Sequence, residues 1–126
     1  MKAAVLQTYR KDGSAFTRPV WYREHDGAFE VVIAEGDAKL AHLRRDPRCT
    51  LVVFDTEPPF RGVAVTGDAQ LVEGDVTEQR ASIARRYLGD ERGRQFAEKR
   101  RAKPGVLVRL TAEPHRWDLS GLLEET

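Results

Sequence analysis

The stretch Gly36–Asp55 reads GDAKLAHLRRDPRCTLVVFD, and it predicts a short helix that leads directly into a central strand. Asp37 is a typical helix N-cap residue, and Pro47 cannot continue a helix. The predicted helix therefore runs from about Ala38 to Arg45, with an apolar edge one turn long. Cys49–Asp55 is apolar on both faces, which is typical of a strand in the centre of a sheet.

Lys39 lies in the first turn of this helix, where the helix dipole disfavours a positive charge. The cost is roughly 0.3–1 kcal/mol if no anion answers the charge. A bound phosphate would make the arrangement favourable, because backbone amides, dipole and ammonium would converge on one group. The alternative, that Lys39 points into water, is equally open. Near the other end of the helix, Arg44, Arg45 and Arg48 are given a structural role, because the dipole favours cations there.

Strand-like sequence surrounds the helix on both sides. Two Asp-Gly pairs, Asp12-Gly13 and Asp26-Gly27, separate alternating apolar runs and indicate hairpins. A longer helix is predicted over Thr77–Leu88, ended by Gly89, and further helical turns over Asp90–Ala102. The pattern predicts a mainly β (α+β) fold, a small antiparallel barrel with one short helix and one larger helical excursion. Its six strand runs are Ala3–Arg10, Ala15–Glu24, Phe29–Glu35, Cys49–Asp55, Arg61–Glu73 and Gly105–Ser120.

Length and composition bound the class of protein. The 126 residues predict one domain, 1–126, and the net charge of +1 gives no reason to expect a nucleic-acid or membrane partner. The single cysteine, Cys49, excludes an internal disulfide, fits the cytoplasm, and is interpreted as a small core residue rather than a nucleophile. No export or membrane segment is predicted. The three histidines lack the spacing of metal ligands, so no metal site is expected.

The segment Thr17–Tyr22 reads TRPVWY and interrupts a strand with a proline. Pro19 cannot donate to a strand ladder, so it marks an edge, a bulge or a place beside a ligand. Trp21 falls on the same face as Pro19, whereas Arg18 and Val20 face the other way. Such a flat apolar surface suits a planar heteroaromatic ring. Spacing alone favours the plainer interpretation, an edge strand with a half-buried tryptophan.

The stretch Arg80–Lys103 carries nine basic and three acidic residues. It fits a nucleic-acid-binding face, but only Tyr87 and Phe96 are interleaved with the charges. A solvated helix face is the favoured interpretation.

Four segments together resemble one known superfamily: DGSAFTRPVWY, GDAKLAHLRRDPR, FRGVAVTGDAQLVE and HRWDLS. They are similar, in order and spacing, to the pyridoxamine 5'-phosphate oxidase-like split β-barrel proteins. Within that superfamily the chain resembles the short branch of flavin and deazaflavin oxidoreductases that use coenzyme F420. The resemblance implies a six-stranded split barrel and a homodimer with a cofactor site at the interface. It also implies hydride transfer to or from a small conjugated or heteroaromatic substrate.

Two alternatives to that function stay open. The first keeps the fold but binds FMN, as an oxidase or reductase. The second is a carrier that binds the flavin or deazaflavin without turnover.

The resemblance also implies roles for particular residues. Lys39 would hold the cofactor phosphate, and the basic stretch would attract an acidic cofactor tail. No catalytic side chain is indicated; a proton would come from solvent, or from Tyr22 or His42 if either faces the ring. The implied cofactor-binding residues are Arg18, Pro19, Val20 and Trp21 beside the ring, Ile33 and Ala34 along the ribityl and phosphate path, Lys39, and, from the second protomer, Arg61 and Trp117.

Overall fold

In the computed structural model, which describes residues 2–123, nine strands form two antiparallel sheets. The strands are β1 (Ala3–Tyr9), β2 (Ala15–Pro19), β3 (Arg23–His25), β4 (Ala28–Ala34), β5 (Arg48–Phe54), β6 (Gly62–Asp68), β7 (Gln70–Val72), β8 (Gly105–Leu110) and β9 (Pro114–Trp117). The helices are α1 (Ala38–Arg45), α2 (Thr77–Leu88), α3 (Asp90–Lys99) and α4 (Ser120–Leu123). The strand order is β2-β1-β5-β6-β9 in one sheet and β3-β4-β8-β7 in the other.

Three of the six predicted strand runs are each divided between the two sheets. The run Ala15–Glu24 becomes β2 and β3, Arg61–Glu73 becomes β6 and β7, and Gly105–Ser120 supplies β8 and β9. The prediction of a mainly β antiparallel split barrel is confirmed. The count of six is refined to nine, because each divided run leaves one sheet and enters the other.

Local chemistry explains where these strands break. Pro19 ends β2, since it has no N–H with which to extend the ladder. Between β6 and β7 the Ala69 N–H does not join either ladder but donates to the Pro47 carbonyl at 2.8 Å. Gly67 lies inside the run that gives β6 and β7, where a glycine often marks a bulge or bend, but it stays paired with Cys49. Its lack of a side chain makes room for Ala112, whose Cβ would lie 2.8 Å from an added Cβ. The bend therefore falls two residues later than the glycine.

One hydrophobic core joins the inner faces of the sheets to α1. Strand residues alternate, so that Ala4 and Leu6 of β1 point inward while Val5 and Gln7 do not. The helix α1 has the predicted bounds and buries Leu40 and Leu43, each 2% exposed or less. The other core members include Tyr22, Val31, Ile33, Cys49, Leu51, Val53, Val63, Val65, Val106, Val108 and Leu110.

The helices α2 and α3 form the larger excursion. The helix α2 has the predicted bounds, and Gly89 separates it from α3 with a φ of 86°. The predicted helical segment Asp90–Ala102 ends earlier, at Lys99. The Tyr87 hydroxyl donates to the Lys2 carbonyl at 2.9 Å and accepts from the Tyr22 N–H at 3.1 Å, which holds α2 against the barrel.

The last six residues, GLLEET, follow the final predicted strand run and are expected to form a tail. The helical turn α4 begins one residue before them, and residues 124–126 lie outside the described residues. Within residues 2–123, no helix combines the length and apolarity that crossing a bilayer requires.

Candidate functional site

A cavity of about 340 Å³ lies where the β2–β3 bend, the end of β4, the start of α1 and the two long helices meet. The bend and β4 contribute Pro19, Val20, Trp21, Val31, Val32, Ile33 and Ala34. The helices and the loop after α3 contribute Asp37, Lys39, Arg80, Ile83, Phe96, Arg100 and Lys103. Six of the nine residues that the sequence suggested for cofactor binding thus line one cavity.

An aromatic wall forms one side of this cavity. Trp21 is 38% exposed and stacks on Tyr87, with ring centroids 4.9 Å apart and an interplanar angle of 10°. Phe96 of α3 lies 5.3 Å from the Trp21 ring. The Val20 N–H donates to the Ala4 carbonyl at 3.1 Å, so that the bend is tied to β1 and the next residue projects away from the barrel. The bend therefore offers a large, fixed, apolar surface.

The positive charge of Lys39 is balanced by a carboxylate of the same chain. The Asp37 carboxylate caps α1, accepting from the Lys39 N–H at 2.8 Å, and it also accepts from the Lys39 Nζ at 3.0 Å. Burial by itself would raise the pKa of Asp37, but the hydrogen bonds from Lys39 and its positive charge lower that pKa below the usual value. The carboxylate is therefore ionised at neutral pH. The position of Lys39 does not by itself require a bound phosphate, nor does the side chain simply point into water.

A second cationic group in the cavity is Arg80, which is 7% exposed. Its Nη1 donates to the Arg100 carbonyl at 2.9 Å and to the Lys103 carbonyl at 3.2 Å. Within the described residues no carboxylate lies at ion-pair distance from it. Burial, together with the charge of Arg100, lowers the pKa of Arg80, and the charge of Asp75 offsets this only in part. An added Cβ at Gly105 would lie 2.9 Å from the Arg80 Nη2, so this glycine makes room for the guanidinium.

The interpretation of Arg80–Lys103 as a solvated helix face holds for part of it. Arg94 pairs with Glu91 and Arg101 with Glu98, all four side chains being more than half exposed. Arg80 was missed as a site residue. Its spacing offered a signal, because it stands one turn before the buried Ile83 and Ala84 on the inner face of α2.

Three of the suggested residues lie outside this cavity. Arg18 is exposed, with its guanidinium carbon 4.0 Å from the centre of the Phe16 ring. Arg61 and Trp117 line a second cavity of about 520 Å³ beside β6 and β9. There the Trp117 Nε1 donates to the Phe60 carbonyl at 2.9 Å. Within one chain, the two groups of suggested residues do not meet.

Neither candidate proton donor lines the cavity. Tyr22 is 2% exposed and belongs to the hydrophobic core. The Nδ1 of His42 hydrogen-bonds the Thr8 hydroxyl at 2.9 Å, and burial with nearby arginine charges lowers the pKa of His42. Among the described residues around the cavity, Asp37 alone carries a carboxyl group, and none carries an imidazole, thiol or phenol. The side chains that line the cavity are thus suited to binding an anion beside a flat ring, and they are not suited to acid–base catalysis.

In the part of the chain that the structure describes, no three His, Cys, Asp or Glu residues stand close enough together to hold a metal ion.

The fold and the cavity define a class of small split-barrel proteins with an aromatic and cationic cavity between the barrel and its helices. The chain belongs to the pyridoxamine 5'-phosphate oxidase family, whose family model matches residues 1–116. No protein of curated function matches the chain.

Solved structures share the fold of this chain. A conserved hypothetical protein from Mycobacterium tuberculosis is 27% identical, with a TM-score of 0.80, over 97% of this chain and 80% of that one. An F420 reductase is 17% identical, with a TM-score of 0.69, over 90% of this chain and 86% of that one. A haem storage protein from Vibrio cholerae is 16% identical, with a TM-score of 0.67, over 93% and 85% of the two chains. The last two likenesses concern the fold alone.

Proposed function

We propose that this protein is an oxidoreductase that binds a deazaflavin, coenzyme F420, and transfers hydride to or from a small conjugated or heteroaromatic substrate. The observation that carries the proposal is the single cavity in which the flat surface of Pro19–Trp21 stands beside four cationic side chains. A planar ring with an anionic side chain matches both features. The family match and the single, buried Cys49 are consistent with such an enzyme in the cytoplasm.

The residues present fit this cofactor in three ways. Pro19, Val20 and Trp21 offer the ring an apolar wall, and Ile33 with Ala34 continues the cavity toward α1. The Lys39 ammonium, which directs one of its three N–H groups at Asp37, keeps two for a phosphate. Arg80, Arg100 and Lys103 remain for carboxylates further along the side chain.

A bound deazaflavin would supply the hydride chemistry, and the chain would supply position and shelter from water. Since no cavity side chain is suited to general acid–base catalysis, we assign protonation to solvent.

FMN is the second candidate cofactor, because it has a planar tricyclic ring of similar shape and a phosphate. A structure from Listeria innocua described as a putative pyridoxamine 5'-phosphate oxidase has the same fold, at 16% identity and a TM-score of 0.66. Haem is not favoured, since no described residue lining the cavity is a His, Cys, Met or Tyr, the residue types that hold haem iron.

We also infer that the protein is a homodimer. On the outer face of the five-stranded sheet, Val5, Val52 and Ala64 are neighbours in register and only half-buried. Trp117 pairs with Gly62 on the same sheet, and its ring lies across that glycine. A partner packed on this face would bury the apolar strip and bring its own Arg61 and Trp117 toward the cofactor cavity.

The test is titration of the purified protein with F420 and with FMN, followed by fluorescence and absorbance. Tighter binding of F420 supports the proposal, tighter binding of FMN supports the second candidate, and binding of neither contradicts both. Reduced cofactor that stays reduced with a panel of enones and heteroaromatic acceptors would identify a carrier.

Lys39→Ala tests the phosphate assignment. The substitution should weaken cofactor binding by roughly 1.5–3 kcal/mol, the range for a hydrogen bond to a charged group. Lys99→Ala is the matched control, since Lys99 is exposed on α3 and does not line the cavity. Equal affinities of the two folded variants would count against Lys39 as the phosphate ligand.

A further inference from the structure

The start of α1 already holds one negative charge. The two carboxylate oxygens of Asp37 accept from the backbone N–H and the Nζ of Lys39, at 2.8 and 3.0 Å. Both residues line the cavity, and their side chains are 33% and 15% exposed. An incoming phosphate therefore meets an ion pair with no net charge, and it meets the carboxylate as well as the ammonium.

Two kinds of phosphate differ in how they tolerate this carboxylate. A terminal phosphomonoester, as in FMN, has a second pKa of about 6 and carries close to two negative charges at neutral pH. A phosphodiester carries one. Because like charges repel in a partly buried site, the Asp37 carboxylate penalises the monoester more than the diester.

We propose that Asp37 is a specificity-determining residue, which disfavours a flavin ending in a phosphomonoester and admits a deazaflavin whose side chain continues through a phosphodiester. The inference rests on the proposed function, since it concerns the same cavity. It assigns to Asp37 a role in addition to its capping of α1.

The positions of the other cationic residues in the cavity suit a ligand whose side chain carries several separate negative charges. Arg80 is buried, with 7% of its surface exposed, and its Nη1 donates to two backbone carbonyls. No carboxylate among the described residues forms an ion pair with it. Arg100 lies against Phe96, its guanidinium carbon 3.7 Å from the ring centre. These groups belong to α2 and the end of α3, whereas the Asp37–Lys39 pair belongs to α1. A ligand with a diester and separate carboxylates uses both places, and FMN uses one.

The test compares Asp37→Asn with the wild-type protein. Asparagine caps a helix as well as aspartate does, so α1 should be kept, which thermal unfolding checks. Four probes are titrated: FMN, riboflavin, F420, and the deazaflavin lacking the phosphate side chain. In the wild type the phosphate of FMN should add little affinity over riboflavin. In Asp37→Asn the affinity for FMN should rise about tenfold with riboflavin unchanged, which corresponds to about 1.4 kcal/mol.

Two further variants make the result decisive. Asp37→Ser also keeps a capping side chain without the charge and should repeat the gain. Asp46→Asn removes one charge at the other end of α1, where Asp46 pairs with Arg48, and should leave the FMN-to-riboflavin ratio unchanged. An unchanged ratio in both Asp37 variants, or an equal gain in Asp46→Asn, with F420 still bound, overturns the inference alone. Failure of all four probes to bind any of the proteins overturns the proposed function and this inference with it.

Discussion

Arg80 illustrates how one side chain in this protein serves both packing and the cavity. Burying a guanidinium destabilises the fold unless its N–H groups are hydrogen-bonded. Two backbone carbonyls, of Arg100 and Lys103 after α3, accept from the Nη1 of Arg80. These bonds connect α2 to the loop that leads into β8. Loss of Arg80 would therefore disturb the helical excursion as well as the charge of the cavity. Lys103, whose side chain is exposed, is the better position for probing charge alone.

Cys49 is predicted to be an unreactive thiol in the folded protein. It is 1% exposed, and burial raises its pKa to about 11, so the thiolate that reacts with disulfide reagents is scarce at neutral pH. Reaction with an aromatic disulfide reagent at pH 8 should be slow in buffer and fast in denaturant. Fast reaction of the native protein, with circular dichroism unchanged, would contradict the burial of Cys49.

Residue by residue, the sequence was most informative where local chemistry was unusual. Pro19 inside a strand and Lys39 at a helix start indicated positions that do line one cavity. It was least informative where position depends on distant packing. The pairing of Lys39 with Asp37 could have been predicted, because the two residues are only two positions apart. The sequence around Arg61 and Trp117, in contrast, gives no sign that these residues line a separate cavity.

At the scale of elements, α1 depends on its N-cap, and that dependence should vary with pH. The folded-state pKa of Asp37 is lowered, so its stabilising contribution is complete above the unfolded value of about 4 and is lost as the pH falls through the folded value. Asp37→Ala should reduce the free energy of unfolding by about 0.5–2 kcal/mol at pH 7. The difference from wild type should shrink at acid pH. Urea unfolding at several pH values measures it, and a constant difference would show that the charge of the cap is irrelevant.

The contact between α2 and α3 depends on Gly93. An added Cβ there would lie 2.6 Å from the backbone N and Cα of Arg85. In an isolated helix Gly→Ala stabilises by about 1 kcal/mol, whereas a clash with backbone in a packed interface typically costs about 1–3 kcal/mol. Gly93→Ala should therefore lower Tm. Gln95→Ala, on the exposed side of the same helix, is the control, and a rise of Tm in Gly93→Ala would show that the helices are not closely packed.

The helices were predicted more accurately than the strands, for a physical reason. Capping residues and Gly89 mark helix ends locally, and the predicted bounds of α1 and α2 are confirmed. A strand that leaves one sheet for another keeps its alternation and its composition. Apart from Pro19, the points of exchange are set by which partner strand is available, and the sequence of a single run does not contain that information.

For the whole molecule, the separation of the two cavities bears on the proposed dimer. If Arg61 and Trp117 contact the cofactor, they must do so from another copy of the chain, because in one chain they line a different cavity from Lys39. The half-buried Val5, Val52 and Ala64 on the outer sheet face offer a surface for that copy. An isologous dimer would form two equivalent composite sites.

Subunit complementation tests this arrangement directly. Lys39→Ala and Arg61→Ala should each weaken cofactor binding as homodimers. When equal amounts are unfolded and refolded together, half of the dimers are mixed, and each mixed dimer has one site with both residues intact. About a quarter of all sites should then regain wild-type affinity in a titration, because a two-fold axis pairs Lys39 of one chain with Arg61 of the other. Two different affinity tags confirm that mixed dimers form. If mixed dimers form and no tight sites return, Lys39 and Arg61 do not share a site across the interface; if Arg61→Ala alone binds normally, Arg61 has no part in the cofactor site.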